Sequence, residues 1–354
     1  MPISAVDSIN LALEHTKQQL FRPFRLGQWT RLAFVGLLAG ELGANGFNRS
    51  NFQFHPHPDA APHIAFPGTL GIDHALLAAF IAAAIVAAFS VGIILMYVGS
   101  VMRFVLFDSI VARECHVRAD WSRSLGPGWR YFVWKLGYIL LTLAGIVIVV
   151  GIPVGLAFAR GWLREPQEHL PPLIMGGVIL GFLLFAFFVV TAVVLVLTKD
   201  FVVPQMALEN IDTTEGWRRL WPMMKAEKGA YAVYIVMKIV LTLVATVLVG
   251  IATVILGLII AIPSLGLGLL AVLTGKSAGL TWNVHTIALA VLIGCVLLAV
   301  FFYVVSLIYV PAIVFFPAYS IHFFAGRYPR LSAALYTAPR GFQVMPGATP
   351  AHSS

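Results

Sequence analysis

Three uninterrupted apolar runs constrain this chain more than any other feature: Ala75 to Met102, His169 to Thr198 and Ile239 to Gly275. Each exceeds the roughly 20 residues that a helix needs to cross the hydrocarbon core of a bilayer. In hydrocarbon every backbone N–H and C=O must be satisfied within the chain, so only helices or a closed barrel can span. A barrel strand alternates apolar and polar residues, and these runs do not. Hydrophobic residues make up 60% of the 354 positions and charged residues 11%, a balance outside the range of a soluble domain. The fold class that follows is all-α: a polytopic transmembrane helical bundle of about six spans, with amphipathic interfacial helices on the cytoplasmic side.

Ser4 and Asp7 resemble a capping box, and Ile3, Val6, Ile9, Leu13, Leu20 and Phe24 recur near helical spacing. This predicts an amphipathic helix in the interface, with Glu14, Lys17 and Gln18 on its polar face. Charge spread over Met1 to Gln28 is unlike a cleavable signal peptide, so the whole chain is kept as mature protein. Spans are expected at about 29–47, 75–104, 131–157 and 172–197, then from Ile239 to near Ile262, and at 285–316. Pro263, Gly266 and Gly268 interrupt the fifth apolar run, so Ser264 to Thr274 is read as an interfacial or re-entrant segment.

The net charge of +8 comes from cations placed beside apolar runs, which points to anionic lipid headgroups rather than nucleic acid. Counted by connector, Lys and Arg favour the side that carries both termini. That side is read as the cytoplasm and the membrane as a bacterial inner membrane. Cys115 and Cys295 offer no disulfide framework.

Parts of the chain repeat. Val105-Leu106-Phe107-Asp108 leads to Asp120-Trp121-Ser122-Arg123, and Phe201-Val202-Val203-Pro204 leads to Gly216-Trp217-Arg218-Arg219, 96 residues on. Val314-Phe315-Phe316-Pro317 returns the exit signature a third time. Three helix-hairpin units, at about 1–106, 107–200 and 201–317, would form a single membrane domain over 1–317. Residues 318–354 would then form a cytoplasmic interfacial segment and a disordered tail.

Few ionisable residues fall inside the apolar runs. Glu41 is expected at the outer end of span one, and Lys238 is expected to snorkel to the cytoplasmic interface. His285 and His322 are placed at helix ends as satisfied interfacial imidazoles. His55, His57, His63 and His74 could in principle bind a transition metal, but the prolines beside them and the absence of a nearby cysteine favour a plain loop. In Glu114-Cys115-His116, adjacent side chains on a helix point apart, which disfavours a nucleophile–base pair. No phosphate-binding, dinucleotide-binding, zinc-hydrolase or serine-hydrolase motif occurs. Neither a catalytic residue, a cofactor site nor a metal site is expected.

The most specific surface is the segment Thr213 to Lys228, opened by Asp212 and Glu215 as a capping box. Trp217 and Trp221 lie four apart, ringed by Arg218, Arg219, Lys225 and Lys228, which is the pattern of a helix at headgroup depth with cations reaching lipid phosphates. Asp200-Phe201-Val202-Val203-Pro204-Gln205-Met206-Ala207-Leu208-Glu209 followed by Glu215-Gly216-Trp217-Arg218-Arg219, with Pro311 to Leu331, resembles uncharacterised bacterial membrane proteins of the glycerophosphoryl diester phosphodiesterase membrane-domain family. The resemblance implies a membrane region that can be fused to a catalytic barrel; this sequence carries no such barrel, and no catalytic residue transfers. The expected function is that of a non-enzymatic membrane protein in envelope organisation, lipid association or partnership with another membrane protein. The alternative is a transporter of small solutes or lipids.

Overall fold

The computed structural model describes residues 3–41, 74–162, 167–277 and 284–336. Every regular element among them is helical: α1 (Asp7–Phe21), α2 (Leu26–Leu38), α3 (His74–Val111), α4 (Val117–Ala159) and α5 (Leu170–Leu197). A π-helical turn, Thr198–Val202, carries α5 into α6 (Val203–Glu209). There follow α7 (Thr213–Ala226), α8 (Lys228–Ser277), α9 (Val284–Ala325) and α10 (Pro329–Tyr336).

Five helices, Leu77–Val111, Val117–Ala159, Leu170–Glu209, Lys228–Gly266 and Ile287–Ala325, are long and apolar enough to cross a membrane, with mean hydropathy of 2.6 to 3.0 in their most apolar stretches. The protein is a multi-pass membrane protein. The expected spans at 75–104, 131–157, 172–197 and 285–316 fall inside α3, α4, α5 and α9. Over its described part the expected span at 29–47 is too short to cross: α2 has 13 residues, about 20 Å of helix against the ~30 Å of a hydrocarbon core. Residues 42–47 lie outside the described residues.

The second correction concerns the expected break after Ile262, since α8 runs unbroken through Pro263, Gly266 and Gly268 to Ser277. Proline removes one backbone bond, yet in an apolar medium ending the helix would strand many more donors and acceptors. The Ser264 hydroxyl donates to the Ile260 carbonyl at 2.6 Å beside the proline. Pro153 and Pro311 also lie inside continuous helices.

The packed interior sits at one end of the molecule, here called the base. It joins α1 and α2, the end of α3 (Met102, Phe104, Val105, Ile110), Tyr131 of α4 and Phe201 to Met206. Leu220 of α7, Tyr231 and Tyr234 of α8, and Val305 to Ala325 of α9 complete it. Beyond the base the helices present their apolar side chains outward, Phe80, Phe182 and Leu265 being 72–73% exposed. Lipid chains are as apolar as leucine, so nothing drives these side chains together. Pairing persists as antiparallel hairpins. Tyr138 of α4 donates to the Thr191 carbonyl of α5 at 3.2 Å, and Gly145 lies so close to the Phe187 ring that a Cβ there would come within 2.7 Å of it. In the other hairpin a Cβ on Gly257 of α8 would lie 3.8 Å from the Phe301 ring of α9.

The start of α1 is fixed as its sequence suggests. The Ser4 hydroxyl donates to the Asp7 carboxylate at 2.7 Å, and the Asp7 N–H donates to the Ser4 hydroxyl at 3.1 Å. The face that packs inward is the small and polar one, with Ser8, Ala12, His15, Thr16, Gln19 and Leu20 buried. Val6, Leu13 and Phe21 face out, as an interfacial helix against lipid requires.

Candidate functional site

The base, where the ends of the spans meet, holds a buried cluster of charge. Gly40, at φ +78°, turns the chain after α2 in a conformation that a side chain would strain, and Glu41 then enters the interior with 2% of its side chain exposed. Arg103 of α3 donates to Glu41 Oε1 at 2.8 Å and to the Ala39 carbonyl. Lys199 donates to Glu41 Oε2 at 2.5 Å. Burial pushes the Glu41 carboxyl up, and Lys199 and Arg103 more than reverse this, holding it at about 2. The neighbouring residue Asp200 accepts a hydrogen bond from Tyr234 at 2.9 Å and another from Lys238 of α8. The π turn is what lets two consecutive residues serve two opposite partners; such turns re-aim side chains within a helix.

Glu41 is therefore buried rather than exposed at an interface, and Lys238 does not snorkel. Both are drawn inward because a charge in an apolar interior is stabilised only beside an opposite one. A cavity of about 30 Å³ adjoins the cluster, lined by Glu41, Arg103, Lys199 and Asp200 and by the three exit segments through Leu106, Phe107, Val203, Pro204 and Pro317. The sequence held a signal for this site, since Arg103 and Lys199 are also 96 residues apart. They occupy equivalent places before the repeated exits and share one carboxylate.

Near this cluster, His15 and His322 form a second polar contact between distant segments. The rings approach at 3.3 Å between His322 Nε2 and His15 Nδ1. His15 Nε2 lies 3.0 Å from the Ile110 carbonyl and His322 Nδ1 lies 3.0 Å from the Tyr336 hydroxyl. One proton arrangement fits all three bonds: each Nε2 donates, each Nδ1 accepts, and Tyr336 donates. His322 is thus satisfied but buried, not interfacial. Burial and then Arg113 push His15 down to about 4.

The six residues expected at headgroup depth divide between the interior and the surface. Trp217 packs inward, its indole N–H bonded to the Thr198 hydroxyl at 3.0 Å. Gly216 beside it admits Val202, which a Cβ would meet at 2.6 Å. Arg219 reaches Glu209 at 2.6 Å and Glu215 at 2.9 Å. Arg218, 80% exposed, pairs with Glu215 at 2.7 Å. Trp221 is exposed, with the Lys225 ammonium 5.5 Å from its ring centroid. Lys228 is exposed at the first turn of α8. The expected capping box does not form: Asp212 makes no side-chain cap and faces Arg130 at 3.5 Å, while Glu215 is held by the two arginines.

Of the remaining candidates, Cys115 is a buried free thiol whose pKa burial raises, and Glu114 and His116 stand 4.0 Å apart on the surface. Residues His55, His57 and His63 lie outside the described residues. Among the described residues no three His, Cys, Asp or Glu side chains come together as a metal site.

Neither a curated protein nor a solved structure matches the chain. A family of unknown function, DUF7544, matches residues 3–334, and the match carries no link to the glycerophosphoryl diester phosphodiesterase membrane domain. The chain, with its base of buried charge and its five long apolar helices, belongs to this family of unknown function.

Proposed function

We propose that the protein acts without catalysis, as a bacterial inner-membrane protein that gathers anionic lipid around its cytoplasmic base and serves envelope organisation or a membrane-protein partner. The supporting observation is the outer face of α7. Arg218, Trp221 and Lys225 are exposed there, with Lys228 beside them at the first turn of α8, next to helices that present apolar side chains outward. Trp217 and Arg219 have the complementary task of fastening α7 to the π turn and α6.

Each exposed cation near an anionic surface contributes about 1 kcal/mol at low salt. The triple variant Arg218→Gln, Lys225→Gln, Lys228→Gln of the full-length protein should lose most of its preference for anionic over neutral lipid. Native mass spectrometry of protein extracted from mixed bilayers would count the retained lipids. Equal retention of anionic lipid by the variant and the parent would remove the lipid reading.

A second reading, a transporter of small solutes, draws support from the buried cluster of Glu41, Arg103, Lys199, Asp200 and Lys238, because ionisable groups within a membrane domain mark solute paths more often than they mark stability. Uptake assays with reconstituted protein distinguish the two readings.

A further inference from the structure

The charge cluster in the base does not sum to zero. Arg103, Lys199 and Lys238 contribute three positive charges, Glu41 and Asp200 two negative ones, and none of these side chains is more than 18% exposed. A buried excess charge is costly unless something of opposite sign compensates it. The cations also have donors to spare. A lysine ammonium carries three N–H groups and a guanidinium five. Lys199 directs one to Glu41, and Arg103 directs one each to Glu41 and the Ala39 carbonyl. The cavity of about 30 Å³ lies where Arg103 and Lys199 come together. That is room enough for a water molecule or a single halide-sized ion. Glu41, Asp200 and Ser320 also line it, and the rest of its wall is apolar, through Leu106, Phe107, Val203 and Ile321, which suits a weakly hydrated monovalent anion.

We propose that this cavity is a binding site for one halide-sized monovalent anion, held by Arg103 and Lys199 and neutralising the excess charge of the base. The site is independent of the lipid face on α7. Its occupant locks α2, α3 and the π turn together, because Arg103 and Lys199 come from different helices and already share Glu41.

Two substitutions at one ion pair give opposite results if the site exists. Glu41→Gln raises the local charge to +2 and frees donors of both cations, so chloride should bind tighter. Lys199→Gln lowers it to zero and removes a ligand, so chloride should bind weaker. Each step should change the half-saturating concentration by about tenfold or more. The readout is the melting temperature of the detergent-purified full-length protein, titrated with sodium chloride or bromide against sodium gluconate at constant ionic strength. The parent should gain stability saturably with the halides and not with gluconate.

Equal behaviour of halide and gluconate in the parent would overturn the proposal, as would shifts of the same sign in both variants. Should either variant fail to fold, crystals of the parent grown with bromide decide the matter. Anomalous density beside Arg103 and Lys199 supports the site, and its absence there rejects it.

Discussion

Buried polar residues in the base were the least legible part of the sequence. Glu41 stands in a short apolar stretch that reads as the end of a span, and nothing near it in sequence announces Arg103 or Lys199. Pairing across 62 and 158 residues leaves no local pattern. The same holds for His15 and His322, separated by 307 residues; each alone looks like a satisfied imidazole. Their contact makes a pH prediction. The groups facing the pair are Arg113 and the Ile110 carbonyl from the end of α3, Gln19 from α1 and Tyr336 from α10. His15 titrates near 4 in the folded protein against an ordinary 6.5, so the unfolded chain binds the proton first as pH falls. Nothing is lost above pH 6.5; between 6.5 and 4 the folded state loses up to about 3 kcal/mol at this residue. Amide exchange in α1 should therefore accelerate on acidification through that window, and His15→Gln should flatten the dependence. Exchange in α1 that is unchanged between pH 7 and 4.5, after correction for the intrinsic rate, would contradict this.

Among the elements, the long helices were legible because an apolar run beyond the bilayer thickness has one stable conformation in lipid. One reading went astray where a rule learned in water was applied. Pro263 with two glycines marks a helix end in a soluble protein; in α8 it is carried through. Pro263→Ala restores an interior backbone bond, so the melting temperature should rise, by an amount corresponding to about 1–3 kcal/mol. A fall would mean that the chain turns at this proline. In α1 the periodicity correctly indicated an amphipathic helix, but it is the small and polar face that packs against α9, while the apolar face is left for lipid. The helix at Thr213–Ala226 was also legible, from its start to its cations. Which tryptophan turns inward was not, because that depends on Thr198 and Val202 in a turn outside the segment.

For the whole molecule, α1 and α10 meet at the base through His15, His322 and Tyr336. The distribution of cations in the sequence leads to the expectation that both termini lie on one side. The exits at Val105, Phe201 and Val314, found as a repeated phrase, come to the base together, and the first two carry the cations that share Glu41. Periodicity could place these segments on the same side of the membrane, but not around one cavity.

The central proposal is that the base lies at one membrane surface, facing the cytoplasm, with the α4–α5 hairpin crossing to the other. Single cysteines at Asp120, Glu215 and Gln167, in a background with Cys115 and Cys295 replaced by serine, can be labelled with a membrane-impermeant thiol reagent in intact spheroplasts and again after the membrane is opened. The account predicts that Gln167 is labelled from outside, and that Asp120 and Glu215 are labelled only once the cytoplasmic face is exposed. Labelling of all three from the same side would contradict it.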